Sequence, residues 1–255
     1  MTTRWNLHML GVGSASAVEL GSASAVLERD GEPVLMIDCG QEALTAYLAR
    51  YGAAPKALFL THTHLDHVGG MERLFVQLYF DPNLRGRCKL YVPAGLVPWL
   101  QGRIADYPGV LAEGGANYWD AFQLVPHNRG FWHQGLWFDV FAVRHHAPGT
   151  AFGISLHGSF IYTGDTRPIP EVLTVVGSGS EPIAHDCGLV ANPSHSGIED
   201  LEREYPAALL ERLHLYHYGS AADGEALQQR GCKVLKMGED LPLPTPTRAA
   251  ATDPD

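Results

Sequence analysis

The sequence is most informative first in what it does without. No Cys-x-x-Cys pair occurs, and Cys39, Cys88, Cys187 and Cys232 lie far apart. A thiolate zinc site or a dithiol redox centre is therefore not expected, and without a secretory leader neither is a disulfide framework. No apolar run approaches the ~18 uninterrupted residues of a membrane span. The first ten residues, MTTRWNLHML, have no basic segment followed by an apolar one, so no signal peptide is expected and the cytoplasm is the expected location. Basic residues are scarce: 18 Lys and Arg stand against 28 Asp and Glu, a formal charge of −10. Gripping a long nucleic acid draws on many Lys and Arg contacts to phosphates, so such a partner is not expected, while a small anionic substrate held at a local cation remains compatible. No internal repeat is evident. No Gly-x-Gly-x-x-Gly continues the turn Gly11-Val12-Gly13, which argues against a dinucleotide-binding fold.

What is present reads as one domain spanning residues 1–240, large enough at 255 residues and 45% hydrophobic content to bury its own core. Short apolar runs predict strands at 5–10, 24–27, 33–37, 57–60, 137–143, 151–156, 159–162, 182–185 and 213–216, and helical spacing covers 41–50, 70–79 and 170–175. Strands and helices mixed in this order predict sheets covered by helices, an α/β layered architecture. Residues 241–255, LPLPTPTRAAATDPD, read as a disordered tail.

The densest chemistry is THTHLDHVGG, residues 61–70, directly after the apolar run 57–60. Side chains alternate along an extended segment, so His62, His64 and Asp66 share a face, and His67 follows at the turn. Four imidazole and carboxylate donors beyond one strand end describe a metal site for Zn²⁺, with Mn²⁺ and Fe²⁺ as rivals. One ion could not use all four and keep a position open for chemistry, so two ions are expected. Further donors follow other predicted strands: His145 and His146 in RHHAPG, Asp165 in YTGDT and His217 in LYHYGS. An aspartate can join two cations through its two oxygens, and Asp165 is the natural candidate.

THTHLDHVGG, HHAPG, TGDT and LYHYGS, in this order, resemble the metallo-β-lactamase superfamily. LGVGSASA, MIDCG, IAHDC and NPSHSGIEDL extend the resemblance to the ribonuclease Z and phosphodiesterase branch, over residues 5–237. The resemblance implies a four-layer αββα sandwich. It implies one ion on His62, His64 and His146, chosen over His145 from a His-x-Pro-Gly pattern, and a second on Asp66, His67 and His217, with Asp165 shared. Asp66 would also orient the attacking water. His195 and Asp186 resemble the branch's proton-handling pair, although the second position is usually a glutamate there. Oxygen-reducing members carry a glutamate where His64 stands, which disfavours their chemistry.

Two cations about 3.5–4 Å apart make water nucleophilic near neutral pH and absorb charge on phosphoryl oxygens. A sugar alkoxide leaves poorly unless protonated, which His195 held by Asp186 would do as general acid. True ribonuclease Z enzymes insert a long tRNA-gripping arm between the third-motif histidine and the bridging aspartate. Here only APGTAFGISLHGSFIYTG separates His146 from Asp165. The implied activity is hydrolysis of a small phosphodiester, a cyclic nucleotide first, as in cyclic-nucleotide phosphodiesterases such as the anti-Pycsar proteins, and the implied assembly is a homodimer. Hydrolysis of lactones, thioesters or β-lactams, and tRNA 3′ processing, are the competing activities of the superfamily. The aromatics of residues 80–135, including Trp99, Tyr107, Tyr118, Trp119, Phe131 and Trp132, read first as core or dimer packing and second as pocket walls. His8, His127, His133, His157 and His214 read as ordinary surface or core histidines, and His185 as a neighbour of the site.

Overall fold

The computed structural model describes residues 3–106, 111–112 and 114–247. In chain order its strands are β1 (Trp5–Gly11), β2 (Ser24–Arg29), β3 (Glu32–Ile37), β4 (Ala57–Phe59), β5 (Cys88–Pro93), β6 (Phe122–His127), β7 (Gly130–His133), β8 (Leu136–Ala142), β9 (Phe152–Leu156), β10 (Phe160–Tyr162), β11 (Ile183–Asp186), β12 (Leu213–Tyr216) and β13 (Asp240–Leu243). They form two sheets, one ordered β13-β1-β2-β3-β4-β5-β6 and the other β12-β11-β10-β9-β8-β7. The helices are α1 (Gln41–Tyr51), α2 (Leu65–Val68), α3 (Met71–Tyr79), α4 (Val97–Leu100), α5 (Pro170–Leu173), α6 (Ile198–Glu204), α7 (Ala207–Leu210) and α8 (Ala221–Gln229).

Period-two alternation explains the layering. In β2, Ala25 and Leu27 join Leu7, Met9, Leu35, Ile37 and Phe59 in the core shared with Phe138, Ile154, Phe160 and Tyr162 of the second sheet. Val26 points the other way, with Met36, Leu58 and Leu90, onto Leu44 and Tyr47 of α1 and Leu74, Phe75 and Leu78 of α3. On the far side Leu201, Leu209 and Leu227 of α6, α7 and α8 cover the second sheet. Each such fully buried aliphatic or aromatic side chain contributes about 1.5–3 kcal/mol through burial. The result is the αββα sandwich expected from the sequence. α1 stops at Gly52, whose φ of 67° is the left-handed conformation of a helix C-terminus and whose N–H caps the Leu48 carbonyl.

Most predicted elements lie within two residues of the observed ones. Strands β5, β6 and β7 were not predicted because Pro93 and Pro126 punctuate two of them. β6 is the edge of its sheet, where a missing N–H costs no ladder bond. The tail boundary at 241 is corrected: residues 240–243 pair antiparallel with β1, Trp5 opposite Leu243 and His8 opposite Asp240. His8 Nδ1 donates to Asp240 at 2.6 Å, and Arg50 reaches the same carboxylate at 3.4 Å. Residues 248–255 lie outside the described residues.

His127 closes β6 with its ring stacked on Phe59 and tilted against Phe131, and neither ring nitrogen has a hydrogen-bond partner among the described residues. Burial among apolar rings pushes its pKa down to about 4. The unfolded chain, with an ordinary histidine near 6.5, then binds the proton more readily. The contribution of this residue to stability is therefore complete above about pH 6.5 and is lost as pH falls through about 4. His127→Phe should flatten the pH dependence of urea midpoints across that interval by up to one proton; an unchanged slope would show that the ring is solvated in solution.

Candidate metal centre and its surroundings

The ligand-type side chains come from the ends of separate strands and meet at one edge of the sandwich. β4 delivers His62 and His64, and the chain then turns into α2, which carries Asp66 and His67. β8 leads to His145, β10 to Asp165 and β12 to His217, which adopts a positive φ of 70°. His217 is held there by its backbone N–H donating to Val12 O at 2.7 Å, so the Gly11–Gly13 turn braces the site. Gly40, ahead of α1, has to be glycine: a Cβ there would lie 2.0 Å from the Asp66 carbonyl oxygen.

Three overlapping four-residue groups of donor atoms occur among the described residues: His62, His64, His145 and Asp165 on one side, Asp66, His67, Asp165 and His217 on the other, and Asp165, Asp186, His195 and His217 towards the cleft. Asp165 belongs to all three, and the first two hold the histidines that follow β4. Its Oδ2 lies 3.2 Å from His67 Nε2, 3.3 Å from His217 Nε2, 3.6 Å from His62 Nε2 and 3.8 Å from His145 Nε2. Donors held at about 2.0–2.1 Å by one ion stand roughly 3–3.5 Å from each other, so this spacing suits a divalent metal. The hydrogen-bonding state agrees: Nε2 of His62, His67 and His217 and both oxygens of Asp165 are buried without a hydrogen-bond partner. Buried polar atoms are ordinarily satisfied, and a cation would satisfy these five together.

Behind the donors a second row fixes each ring. His62 Nδ1 donates to Thr61 Oγ1 at 3.0 Å, and Thr61 Oγ1 donates to Asp38 Oδ2 at 2.7 Å. His67 Nδ1 donates to Asp38 Oδ2 at 2.8 Å, and His145 Nδ1 donates to Ser194 O at 2.9 Å. Occupying Nδ1 in this way leaves the Nε2 lone pair directed inward, the usual means by which outer contacts set a metal ligand's tautomer. Asp38 was not among the candidate residues from sequence, although MIDCG was noted as a motif. It is fully buried at the end of β3, with a positive φ of 61°, and also accepts from Thr61 N at 2.8 Å.

The structure gathers His145 rather than His146 into the inner donor group. His145, 2% exposed, contributes Nε2 to the inner group, 3.2 Å from His64 Nδ1. His146 lies outside it, its Nε2 2.8 Å from His64 Nε2. His64 therefore turns Nδ1 inward and Nε2 outward, and His146 serves as its outer partner. Adjacent residues leave the chain on different sides, which is why two consecutive histidines cannot both face one point. His145→Ala should lose an equivalent of metal by elemental analysis, whereas His146→Ala should retain both and weaken affinity by about 10–100-fold at most. The reverse pattern would restore the sequence-based assignment.

Charge is balanced within the cluster. Burial alone would lower the pKa of His67 and His217, yet the neighbouring carboxylates outweigh it. Asp165 and Asp38 raise His67 well above the usual range, and Asp165 with Asp186 raises His217 to about 10. Burial would raise Asp165, but His217 and His67 hold it well below the usual carboxylate range. Burial, assisted by His67, keeps His62 neutral, and burial pushes His145 down to about 4. Two imidazolium protons thus sit among the carboxylates at the donor atoms a metal would take, and binding would release them.

His195 and Asp186 are in contact. His195 Nδ1 donates to Asp186 Oδ2 at 2.9 Å, and the His195 ring stacks on His217 with centroids 4.7 Å apart. Asp186 is fully buried and accepts from Thr166 N at 2.8 Å, while its Oδ1 lies 3.4 Å from His217 Nδ1. His185, buried beside this pair, is in none of the donor groups, its Nδ1 donating to Asp186 O and its Nε2 accepting from Tyr205. A 520 Å³ cleft exposes Asp66, Asp165, His195 and His217 together with Val190 and Asp223. Tyr91, Tyr118 and Phe131 of the aromatic segment are buried and stacked, but Trp99 and Trp132 are exposed. Tyr107 lies outside the described residues.

Comparison with known proteins gives the same picture at the level of the whole chain. The family described as anti-Pycsar protein Apyc1 matches residues 5–240. A protein of that name from Saccharibacillus brassicae is 31% identical over 250 residues, covering 93% of this chain and 100% of the relative. Another from Paenibacillus harenae is 28% identical over 228 residues, covering 86% and 91%. Among solved structures, a diphosphatase of the PhnP family superposes with a TM-score of 0.72 at 16% identity, covering 94% of this chain and 98% of that one. The metallo-β-lactamase fold protein YhfI from Bacillus subtilis gives 0.71 at 13% identity, covering 94% and 100%. At such identities the two structures speak to the fold, which is the metallo-β-lactamase fold.

Proposed function

The chain belongs to the anti-Pycsar Apyc1 family, and from that membership together with the site we propose that it is a dinuclear metal-dependent phosphodiesterase acting on a small diester, a cyclic nucleotide above others. The carrying observation is Asp165, buried at the meeting point of two donor groups, with the His195–Asp186 pair beside it in an open cleft. His62, His64 and His145 would hold one divalent ion, Asp66, His67 and His217 the second, and Asp165 both. Zn²⁺ suits the imidazole-rich donor set best, with Mn²⁺ or Fe²⁺ as alternatives. When bound, the two ions supply an activated water and neutralise charge on the phosphoryl oxygens.

The chain's own residues do the rest. Asp66, 12% exposed at its side chain, faces the cleft and orients the attacking water. Asp165 and Asp186 hold the His67 and His217 rings in place through charge and contact. His195, anchored at Nδ1 by Asp186, turns its free Nε2 edge to solvent and donates a proton to the leaving alkoxide. Only β9 and β10 separate the third-motif histidine from Asp165, so nothing corresponds to a tRNA-gripping arm there. The 520 Å³ cleft, acidic at Asp66, Asp165 and Asp223, fits a compact diester better than a long polyanion. No helix among the described residues is long and apolar enough to cross a membrane. A cytoplasmic substrate and a second copy of the chain complete the proposed setting.

The deciding experiment is a substrate panel with Mn²⁺- or Zn²⁺-loaded protein: cyclic mononucleotides, cyclic dinucleotides, pre-tRNA, nitrocefin and a lactone. Cleavage of a cyclic mononucleotide is the expected result. Turnover of nitrocefin or the lactone with every diester intact would replace phosphodiester hydrolysis with carbon-ester chemistry.

A further inference from the structure

Trp99 is 61% exposed on α4, a large apolar side chain left in water, whereas Tyr91 and Tyr118 of the same aromatic segment are buried. It does not stand on open surface. Together with Arg103, from the π-type turn Gln101–Ala105 that continues α4, it walls a 230 Å³ cavity whose other side is made by His62, His64 and His146. Two of those histidines belong to the inner donor group, and His64 also lines the catalytic cleft, so this cavity adjoins the candidate metal centre. Arg103 also lines the 440 Å³ groove on the other flank of His64, beside Leu65 and Asp66. Among the described residues Arg103 has no ion-pair or side-chain hydrogen-bond partner. The one hydroxyl in the cavity with a visible role, Thr150, spends its proton on the Ala147 carbonyl.

A flat indole face and an uncommitted guanidinium describe a particular ligand. The indole offers area for stacking to any planar ring, with no demand on its hydrogen-bonding edge. The guanidinium offers five N–H donors in a plane, suited to carbonyl and ring-nitrogen acceptors. In a chain of net charge −10, this cation stands out on the rim of a site that is otherwise acidic. An aliphatic acyl group would gain little from either residue, and a second phosphate would gain nothing from the indole. We propose that the Trp99–Arg103 cavity is a nucleobase pocket: Trp99 stacks on the base and Arg103 donates to its acceptors, so that the pair sets substrate preference. The proposal rests on the phosphodiesterase reading above and deepens it by assigning recognition of the non-reacting half of the substrate to residues that touch no metal.

The test compares each 3′,5′-cyclic nucleotide with the same ring lacking a base, methyl riboside 3′,5′-cyclic phosphate, on metal-loaded wild type, Trp99→Ala, Trp99→Phe and Arg103→Gln. Trp99→Ala should lower kcat/KM for the nucleotides by about 10–100-fold, mainly through KM, as loss of one stacked base predicts. The loss on the base-free diester should be far smaller, so the preference for a base collapses, and Trp99→Phe should recover most of it. Arg103→Gln should shift the ranking of bases by how many acceptors each presents. An active wild type whose Trp99→Ala variant keeps its full preference, or loses equally on both diesters, overturns the pocket while leaving phosphodiester hydrolysis intact. A changed oligomeric mass in Trp99→Ala with preference unchanged would overturn it too, by placing the indole in a subunit contact. A wild type inactive on both diesters would instead sink the underlying reading.

Discussion

Asp165→Ala is expected to empty at least one metal site and to reduce turnover by about 10³-fold or more, the scale of losing a principal electrostatic element of catalysis. The reason is geometric. The Oδ2 atom lies within 3.8 Å of four imidazole nitrogens, so its removal takes an anionic donor from both groups at once and leaves the His67 and His217 cations balanced only by Asp38, Asp66 and Asp186. Removing one partner of a buried charge cluster is costly to stability as well, by roughly 3–5 kcal/mol. The apoprotein of the variant should therefore melt lower than wild-type apoprotein. Asp165→Asn separates the two effects, because it keeps shape and one acceptor oxygen while discarding the charge. Retention of two metal equivalents by elemental analysis in both variants would contradict the sharing of Asp165.

The second large effect belongs to His195. His195→Ala should lower turnover of a cyclic nucleotide by about 10²–10⁴-fold, the usual contribution of a positioned general acid. Metal content should stay near that of wild type, since His195 Nδ1 is committed to Asp186 at 2.9 Å and lies 4.0 Å from Asp165. A diester with a p-nitrophenolate leaving group needs no proton and should lose much less. That contrast between leaving groups identifies proton donation rather than general damage. Loss of metal from His195→Ala would mean that the ring supports the ions and that another group protonates the alkoxide.

Much of the site was legible because its donors follow strands that the apolar runs reveal. His62, His64, Asp66 and His67 fall within a six-residue stretch, 62–67, that follows one strand end, and Asp165 and His217 each stand just past a run of buried residues. The third histidine was not legible, because His145 and His146 are adjacent and only the backbone after β8 decides which ring turns inward. Asp38 escaped for a different reason. It acts on the far side of His67 and Thr61, from a strand 23 or more residues away in sequence, and an outer contact of that kind carries no spacing rule. The fold was legible at the level of layers, since alternation marks two-faced sheets. The edges were less so: β6 carries Pro126, and β13 lies in a segment whose composition alone reads as unstructured. Pairing with β1 and the Asp240 contacts to His8 and Arg50 override that local preference.

One consequence follows from Asp186 serving two histidines with its two oxygens, Oδ2 for His195 and Oδ1 for His217. Position 186 becomes a point of epistasis between acidity and loading. Under the proposed mechanism, a substitution at 186 that retuned His195 as proton donor would also disturb the His217 ring.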